Sequence, residues 1–232
     1  MFVKAPRKGM VKSRLAACLG EEITLALYKS FVLDLAKTLR AGEYPSVISF
    51  FPPDARPEME KWLGTEHVFA PQHGKHLGER MKNAFTNVFT GGAEAAILVG
   101  ADIPDLTADI FGGAFRLLND HDSILGPSYD GGYYLIGFNR NHFTPSVFED
   151  IDWGTTEVFR QTVGKLIAAG SHIYTLPEHR DIDTFEDLAA FYRDHSGDEF
   201  VGTATMRCIR SEASDFVNRL NSKRPVTGMR DK

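Results

Sequence analysis

Residues 97–106, which read ILVGADIPDL, join a buried strand directly to an acidic turn. The apolar run from Ala95 to Val99 shows no polar alternation, which is typical of a strand covered on both faces. Pro104 cannot donate to a sheet ladder, so the strand ends and a turn follows. A carboxylate at this point is costly unless it is paired or holds a cation. We therefore expect Asp102 to face a functional crevice; the alternative is a turn or helix-cap role.

Strands and helices alternate along the chain on both sides of this stretch. Apolar runs predict strands at 1–3, 46–51, 67–70, 95–100, 122–126, 133–138 and 172–176, and helical periodicity predicts helices at 12–41, 54–63, 77–90, 107–119, 155–170 and 184–195. This alternation predicts an α/β fold in which helices cover both faces of a mostly parallel sheet. The link between strands 122–126 and 133–138 is too short for a parallel crossover, so we expect an antiparallel or splayed pair and a mixed sheet.

The chain is predicted to contain one domain, residues 1–195, and a polar tail or arm, 196–232, with at most one helix near 211–221. Its 232 residues fit one large domain, and 43% hydrophobic and 25% charged residues are ordinary for a globular protein. No apolar run reaches the roughly 18 residues of a membrane span. The start of the chain lacks the apolar region of a signal peptide, so a cytoplasmic location is expected.

Charge and cysteine content argue against several classes of protein. The 26 basic and 31 acidic side chains give a net charge of −5, which argues against a general nucleic-acid binder. The two cysteines, Cys18 and Cys208, make neither a disulfide framework nor a zinc motif. His73 and His76 are not followed by a Cys or a third His, so we interpret them as surface residues rather than metal ligands.

The segment KAPRKGMVKSRL, residues 4–15, is a basic loop that runs into a predicted helix. Gly9 permits a tight turn, and the free N–H groups at a helix start attract anions. Lys12 and Arg14 on the first turn add cationic donors, which predicts phosphate binding. The chain has no Gly-Lys-Ser/Thr loop and no Gly-x-Gly-x-x-Gly, so P-loop enzymes and dinucleotide oxidoreductases are unsupported. The alternative for this run is solvated surface charge.

Three aspartates follow predicted strands at the sheet edge that the basic loop also reaches: Asp102, Asp181 and Asp183. The carboxyl ends of strands in an open α/β sheet meet in a shared crevice. Carboxylate oxygens suit Mg²⁺ or Mn²⁺, and such a cation would neutralise a departing diphosphate. The segment DIDTFEDL also resembles a helix start, so Asp183 or Thr184 is expected to cap a helix while at least one aspartate faces the metal.

The segment GPSYDGGYYLIG, residues 126–137, places Asp130 before Gly131 and Gly132. The two glycines could let a ligand approach bare backbone, and Asp130 is then the candidate general base. A plain hairpin turn explains Asp-Gly equally well. Tyr133 and Trp153 are predicted to lie beside an acceptor, since an exposed Trp stacks on a sugar or base; the alternative for Trp153 is a core position.

Six stretches in unbroken order resemble the bacterial DUF2064 family: FVKAPRKGMVKSRL, PQHGKHLGERM, LVGADIPDL, LGPSYDGGYYLIGF, DWGTTEVFRQT and DIDTFEDL. The likeness covers roughly residues 1–195. It implies the GT-A-like nucleotide-diphospho-sugar transferase fold, a three-layer α/β sandwich. Some members are named as glycosyltransferases of arsenosugar biosynthesis, and the family is similar to guanylyltransferases that activate phospholactate or phosphoenolpyruvate. The chain departs from the family by its short first strand, MFV.

The resemblance also implies roles for matching residues. They fall on Lys12 for phosphate, on Asp102, Asp181 and Asp183 for magnesium, and on Gln72 and Arg80 for the nucleotide. The leading interpretation is a metal-dependent transferase that uses a nucleotide-diphosphate-sugar donor, Mg²⁺ or Mn²⁺, and a small-molecule acceptor. Two alternatives stay open: a nucleotidyltransferase that joins an NTP to a phosphorylated small molecule, and a nucleotide-binding protein without catalysis. Monomer and homodimer also stay open.

Overall fold

The computed structural model describes residues 1–197 and 199–212, and these ranges contain both strands and helices. The strands are β1 (Phe2–Lys4), β2 (Val47–Phe51), β3 (Val68–Pro71), β4 (Ala95–Val99), β5 (Ser123–Pro127), β6 (Tyr133–Asn139) and β7 (Ile173–Thr175). The helices are α1 (Ser13–Leu19), α2 (Glu21–Ala41), α3 (Arg56–Leu63), α4 (Leu77–Thr90), α5 (Ala108–Leu117), α6 (Val158–Ala168), α7 (Phe185–Asp194) and α8 (Ala204–Glu212). Their alternation confirms the predicted α/β class.

The strands form a parallel half and a mixed half. In the parallel half, β2 lies between β1 and β3, and all three run in one direction. In the mixed half the order is β4-β6-β5-β7; β6 is antiparallel to both of its neighbours, and β7 is parallel to β5. The antiparallel pair that the short link predicts is therefore confirmed. The same reversal also sets β6 against β4, so β6 begins at the edge where β4 and β5 end.

Helices cover both faces of the strands, which confirms the three-layer sandwich. One apolar cluster packs α2, α3 and α5 against both halves, with Val3 and Phe50 from the parallel half and Val99 and Leu135 from the mixed half. On the opposite face α4 and α6 pack on the mixed half around Phe85. The two halves therefore share one apolar core on this face.

The single helix predicted over 12–41 is wrong. Gly20, with φ of 83° and ψ of 159°, lies between the end of α1 and the start of α2. Leu15 of α1 and Leu27 of α2 are nevertheless buried in the same cluster, together with residues of α7 and α8. The apolar repeat therefore continues across the break, and periodicity alone could not reveal it.

The first part of the segment predicted as a tail packs against the rest of the chain. Helix α8 lies on α2, and its Met206 is buried in one cluster with Phe31. Asp34 of α2 is buried and accepts the backbone N–H groups of Ala204 at 2.8 Å and Thr205 at 2.7 Å. A carboxylate of α2 therefore caps the start of α8.

The helix expected near 211–221 falls, from residue 213 onward, outside the described residues. None of the described helices combines the length and the apolarity that crossing a membrane requires.

Candidate active site

A cavity of about 840 Å³ opens at one edge of the sheet, where strands of both halves end. This is the position of ligand sites in open α/β sheets. Most of the predicted site residues line it: Lys12, Arg14, Gln72, Arg80, Asp102, Asp130, Gly132, Tyr133, Trp153, Asp181 and Asp183. Gly9 and Gly131 are not among the described residues of its lining, although Gly9 has a φ of 71° and makes a turn in the basic loop.

Lys12 connects the two halves at the cavity. Its Nζ lies 2.8 Å from Asp102 Oδ1 and 2.5 Å from Asp183 Oδ1, and only 5% of its side chain is exposed. Burial acts to lower the pKa of Lys12, but the two carboxylates outweigh burial and raise the pKa, so the ammonium stays charged. Its backbone has φ of 49° and ψ of 50° just before α1. A non-glycine residue in the left-handed backbone region is strained, and such residues cluster at functional sites.

Two other cations of the basic loop have partners outside the cavity. Arg7 forms a two-pronged ion pair with Glu58, with Nε–Oε2 at 3.0 Å and Nη2–Oε1 at 2.5 Å, and Lys8 pairs with a glutamate of α2. Neither of these cations lines the cavity. The predicted anion-binding loop therefore contributes Lys4, Lys12 and Arg14 to the cavity, while Arg7 and Lys8 form surface ion pairs, as the alternative interpretation of this run allows.

The loop after β7 brings Asp181 and Asp183 to the cavity beside Asp130. Burial first, and then repulsion from Asp130 and Asp183, raise the pKa of Asp181 to about 6. Lys12 favours the charged form of Asp181 but does not cancel these effects. The surroundings of Asp181 therefore disfavour its charged form.

The start of α7 explains why Asp183 is free to contact Lys12. Thr184 caps the helix: its Oγ1 accepts the Asp187 N–H at 3.2 Å, and the Asp187 carboxylate accepts the Thr184 N–H at 2.9 Å. This reciprocal pair satisfies two N–H groups at the helix start. Of the two capping residues that the sequence suggests, Thr184 is therefore the one that caps, and the Asp183 carboxylate points to the ammonium.

The predicted metal ligands do not make a ready three-ligand centre. Within 1–197 and 199–212, no group of three or more His, Cys, Asp or Glu side chains is arranged to hold a metal ion. Asp102 and Asp183 nevertheless converge on one cation, the ammonium of Lys12, and 45% and 36% of their side chains are exposed. Carboxylate oxygens that already share a cation, next to the uncompensated charge at Asp181, fit a hard divalent cation chemically.

Asp130 lies in a tight turn between β5 and β6. Its Oδ1 accepts the Ser128 hydroxyl at 2.6 Å and the Gly132 N–H at 2.9 Å, so Oδ2 is the oxygen that can take up a proton from a ligand. The expectation that both glycines expose bare backbone to a ligand is wrong for Gly131. Its φ is 86°, and a Cβ there would lie 2.3 Å from Thr156 O. The absence of a side chain at Gly131 therefore lets the backbone of Thr156 approach, and it does not expose Gly131 to a ligand.

Aromatic side chains form the wall beside Asp130. Tyr133 and Trp153 make an edge-to-face contact with ring centroids 6.5 Å apart, and Tyr134 also lines the cavity. Burial raises the pKa of Tyr133, so its hydroxyl stays protonated. Trp153 is half-buried, and its indole N–H is buried without a hydrogen-bond partner in the described part of the chain. Trp153 thus lies at the cavity, as predicted, and is also partly packed in the core, which was the alternative interpretation.

The parallel half contributes a second group of side chains, some of which the sequence did not suggest. The Arg80 guanidinium lies 3.7 Å above the Phe51 ring, and Arg80 Nε donates to Gly74 O at 3.2 Å. Gln72 is buried, and its Nε2 donates to Ser49 O at 2.7 Å, so part of its amide supports β2. Phe51 was missed because an aromatic residue at a strand end reads as core; its contact with Arg80 spans two distant segments.

The chain is similar to known proteins in both sequence and structure. A sequence profile described as "Uncharacterized protein conserved in bacteria (DUF2064)" matches residues 34–155. The chain belongs to the DUF2064 family. A crystal structure from Desulfovibrio desulfuricans G20, whose protein is named provisionally as a nucleotide-diphospho-sugar transferase, is 37% identical to this DUF2064 protein. The TM-score is 0.90, and the match covers 94% of this chain and 95% of that one.

More distant structures share the fold of this DUF2064 protein. A cytidylyltransferase from Leptospira borgpetersenii is 13% identical, with a TM-score of 0.54, and the match covers 98% of this chain and 97% of that one. The 4-diphosphocytidyl-2C-methyl-D-erythritol synthase of Anaerococcus prevotii is 11% identical, with a TM-score of 0.51 and coverage of 80% and 92%. No protein with a curated description matches the chain in sequence. The predicted nucleotide-diphospho-sugar transferase-like fold is confirmed.

Proposed function

We propose that this DUF2064 protein is a metal-dependent transferase that uses a nucleotide-diphosphate-sugar donor and a small-molecule acceptor. The observation that carries the proposal is Lys12, a buried ammonium on strained backbone, shared by Asp102 and Asp183 at a cavity large enough for a nucleotide sugar. Cations of the parallel half suit the phosphates of such a donor. The similarity to the Desulfovibrio desulfuricans protein supports the same activity class.

The carboxylates around Lys12 would hold the divalent cation. Asp102 and Asp183, helped by Asp181, supply the oxygen ligands that Mg²⁺ or Mn²⁺ prefers. When bound, the cation neutralises negative charge that develops on the departing diphosphate. Lys12 keeps Asp102 and Asp183 close together, and Arg14 adds a donor for a phosphate oxygen beside it.

Asp130 is the proposed general base. The Ser128 hydroxyl and the Gly132 N–H hold Asp130 Oδ1, which orients Oδ2 to accept a proton from the acceptor. Tyr133 and Trp153 supply the apolar wall against which an acceptor can be positioned.

The experiment is a thermal-shift panel of UDP-sugars, GDP-sugars and free NTPs, each with Mn²⁺, Mg²⁺ or EDTA. We expect one class of sugar nucleotide to raise the unfolding midpoint only when the divalent cation is present. A ligand at about a hundredfold its dissociation constant adds roughly 2.7 kcal/mol of stability, which is readily seen. The Asp102→Asn variant should keep its fold and lose the metal-dependent shift.

The control comes from the same basic loop. Arg7→Gln removes a cation that pairs with Glu58 outside the cavity, so it should leave the nucleotide shift unchanged, whereas Arg14→Gln should weaken it. A shift with an NTP alone, with pyrophosphate released, would indicate nucleotidyl transfer instead. No shift with any nucleotide would remove the proposal in favour of a protein of another class.

A further inference from the structure

The cavity is divided by charge along the sheet. Its lining from the parallel half, with the helices that follow those strands, contains basic residues and no Asp or Glu among the described residues: Lys4, Lys12, Arg14 and Arg80. Its lining from the mixed half contains acidic residues and no Lys, Arg or His among the described residues: Asp102, Asp130, Asp181 and Asp183. We call these two groups the basic wall and the acidic wall; they meet where the Lys12 ammonium contacts Asp102 and Asp183.

Lys12 does not neutralise the whole acidic wall. Its ammonium is held by Asp102 and Asp183, at 2.8 and 2.5 Å. Within the part of the chain that the structure describes, Asp130 and Asp181 form no ion pair. One divalent cation would still leave the wall without any positive charge to spare for an anionic acceptor.

Cationic side chains near this wall are engaged elsewhere. Arg180 pairs with Asp187 at 3.3 Å and its guanidinium lies 4.8 Å from the Tyr129 ring centroid. The His179 ring packs against Tyr134, with centroids 5.0 Å apart. Neither Arg180 nor His179 lines the cavity, so neither offers an anion a partner there.

Besides aliphatic side chains and glycines, the acidic wall contains hydroxyls and aromatic rings. They come from Ser128, Thr155 and Thr156 and from Tyr133, Tyr134 and Trp153. Carboxylates accept hydrogen bonds from hydroxyl groups, and aromatic faces pack against C–H groups. This combination suits an uncharged molecule that carries several hydroxyls. A phosphate or carboxylate would instead face Asp130 and Asp181, and the Lys12 ammonium beside them is already paired with Asp102 and Asp183.

We infer that the acceptor is an uncharged polyhydroxylated molecule, a sugar or polyol, and that phosphorylated acceptors are rejected by the acidic wall. This inference rests on the proposed function. In the reaction, a hydroxyl oxygen of the acceptor forms a bond to the anomeric carbon of the donor sugar. The bond from that carbon to the phosphate oxygen breaks, and the nucleoside diphosphate leaves with the electron pair. The hydroxyl proton passes to Asp130 Oδ2 and then to solvent.

The test uses the emission of Trp153 in the full-length Trp62→Phe variant, in which Trp153 is the remaining one of the chain's two tryptophans. With Mg²⁺ present, matched pairs are titrated: glucose against glucose 6-phosphate, glycerol against glycerol 3-phosphate, and myo-inositol against its monophosphate. At least one uncharged member should bind at least tenfold more tightly than its phosphate ester. Calorimetric titration of the unmodified chain should give the same ratio and guards against an effect of Trp62→Phe.

Charge variants then identify the cause of the discrimination. The double variant Asp130→Asn with Asp181→Asn removes two carboxylates of the acidic wall. It should lower the ratio of the affinity for the uncharged molecule to the affinity for its phosphate ester. The control Asp120→Asn removes an exposed carboxylate that does not line the cavity, and it should leave the ratio unchanged. Equal or tighter binding of the phosphate esters, no binding of any uncharged member, or a ratio that does not respond to the double variant would each overturn the inference.

The nucleotide panel separates this inference from the proposed function. If a sugar nucleotide stabilises the protein but the matched pairs show no discrimination, the acceptor class is wrong and the proposed function stands. If no nucleotide binds while uncharged polyols still do, the proposed transfer is wrong, and the acidic wall is a polyol site of another kind.

Discussion

In the parallel half, three of the four cations at the cavity lie at helix starts: Lys12 and Arg14 at α1, and Arg80 in the first turn of α4. The fourth, Lys4, ends β1. In the mixed half, the anions stand in turns and loops, with Asp130 in the link to β6 and Asp181 after β7. A cation at a helix start opposes the helix dipole, and anions crowded into neighbouring loops repel one another. The charged side chains of each half are therefore electrostatically unfavourable by themselves. They become favourable when they contact a charge of the opposite sign from the other half or from a ligand.

The comparison also separates two ways of holding a charge. Helix starts place the basic side chains by backbone geometry, whereas turns need hydrogen bonds and close packing to keep an acidic side chain in place. We therefore expect the mixed half to be the more sensitive to single substitutions in its backbone, and Lys12 to be the residue whose loss affects both halves.

Gly131→Ala should have the largest effect, about 2–4 kcal/mol of lost unfolding free energy, because it combines left-handed strain with overpacking. A Cβ at Gly131 would lie 2.3 Å from Thr156 O, in backbone with φ of 86°. The matched control is Gly154→Ala, which has φ of 85° and no atom within 4 Å of the added Cβ. Urea unfolding measures both, and equal losses would show that packing against Thr156 does not matter.

Lys12→Met should lower the unfolding free energy by about 1–3 kcal/mol, because the charge partners of Asp102 and Asp183 are lost while the side-chain volume is kept. These carboxylates are 45% and 36% exposed, so the loss falls short of that for a fully buried pair. Arg7→Met is the control: its pair with Glu58 is exposed to solvent, so its loss should change the unfolding free energy much less. A smaller loss of unfolding free energy for Lys12→Met than for Arg7→Met would contradict the conclusion that Lys12 connects the two halves.

Thr184→Ala should cost about 1 kcal/mol, because it removes the cap that precedes α7 and positions Asp183. Thr107 precedes α5 in the corresponding position but makes no capping hydrogen bond from its side chain. Thr107→Ala should therefore cost close to nothing, and thermal unfolding of the two variants compares a threonine that caps with one that does not. Similar losses would mean that the hydroxyl of Thr184 is not the cause.

Asp181→Asn should have an effect on stability that depends on pH. Burial, then Asp130 and Asp183, raise the pKa of Asp181 to about 6 from 3.8, so the native state favours its protonated form. This group therefore lowers stability as the pH rises from about 4 to about 6, and Asn removes that loss. Urea unfolding in EDTA should show the variant gaining on the wild type over this range and staying level above it. Asp120→Asn should show no such gain.

The sequence predicted local elements well where caps and apolar runs agree. The helix predicted at 77–90 matches α4 (Leu77–Thr90), and the apolar run before Asp102 is β4, as expected. The break at Gly20 was missed because the apolar face continues from α1 into α2 across it. A glycine inside a periodic run predicts a weak point, but the direction of the chain after it depends on tertiary packing.

The sequence predicted which residues form the candidate site but not the contacts and distances between them. Lys12, Asp102 and Asp183 were expected at one crevice, and the structure brings them into contact. The pairing of Arg7 with Glu58 and the approach of Thr156 to Gly131 were not predictable. Both join segments far apart in the chain, and no local pattern encodes the distance between them. The metal assignment stays a prediction.

The cap that Asp34 places on α8 has a consequence for how the chain is completed. It joins residues 170 positions apart, so the ribosome adds about 170 residues between the two partners, which takes roughly 10–30 s at ordinary rates. Throughout that interval Leu27 and Phe31 of α2, fully buried in the finished protein, lack the helix that covers them. This apolar face of α2 therefore lacks α8 until residues 204–212 have been synthesised, and exposed apolar surface of this kind favours aggregation.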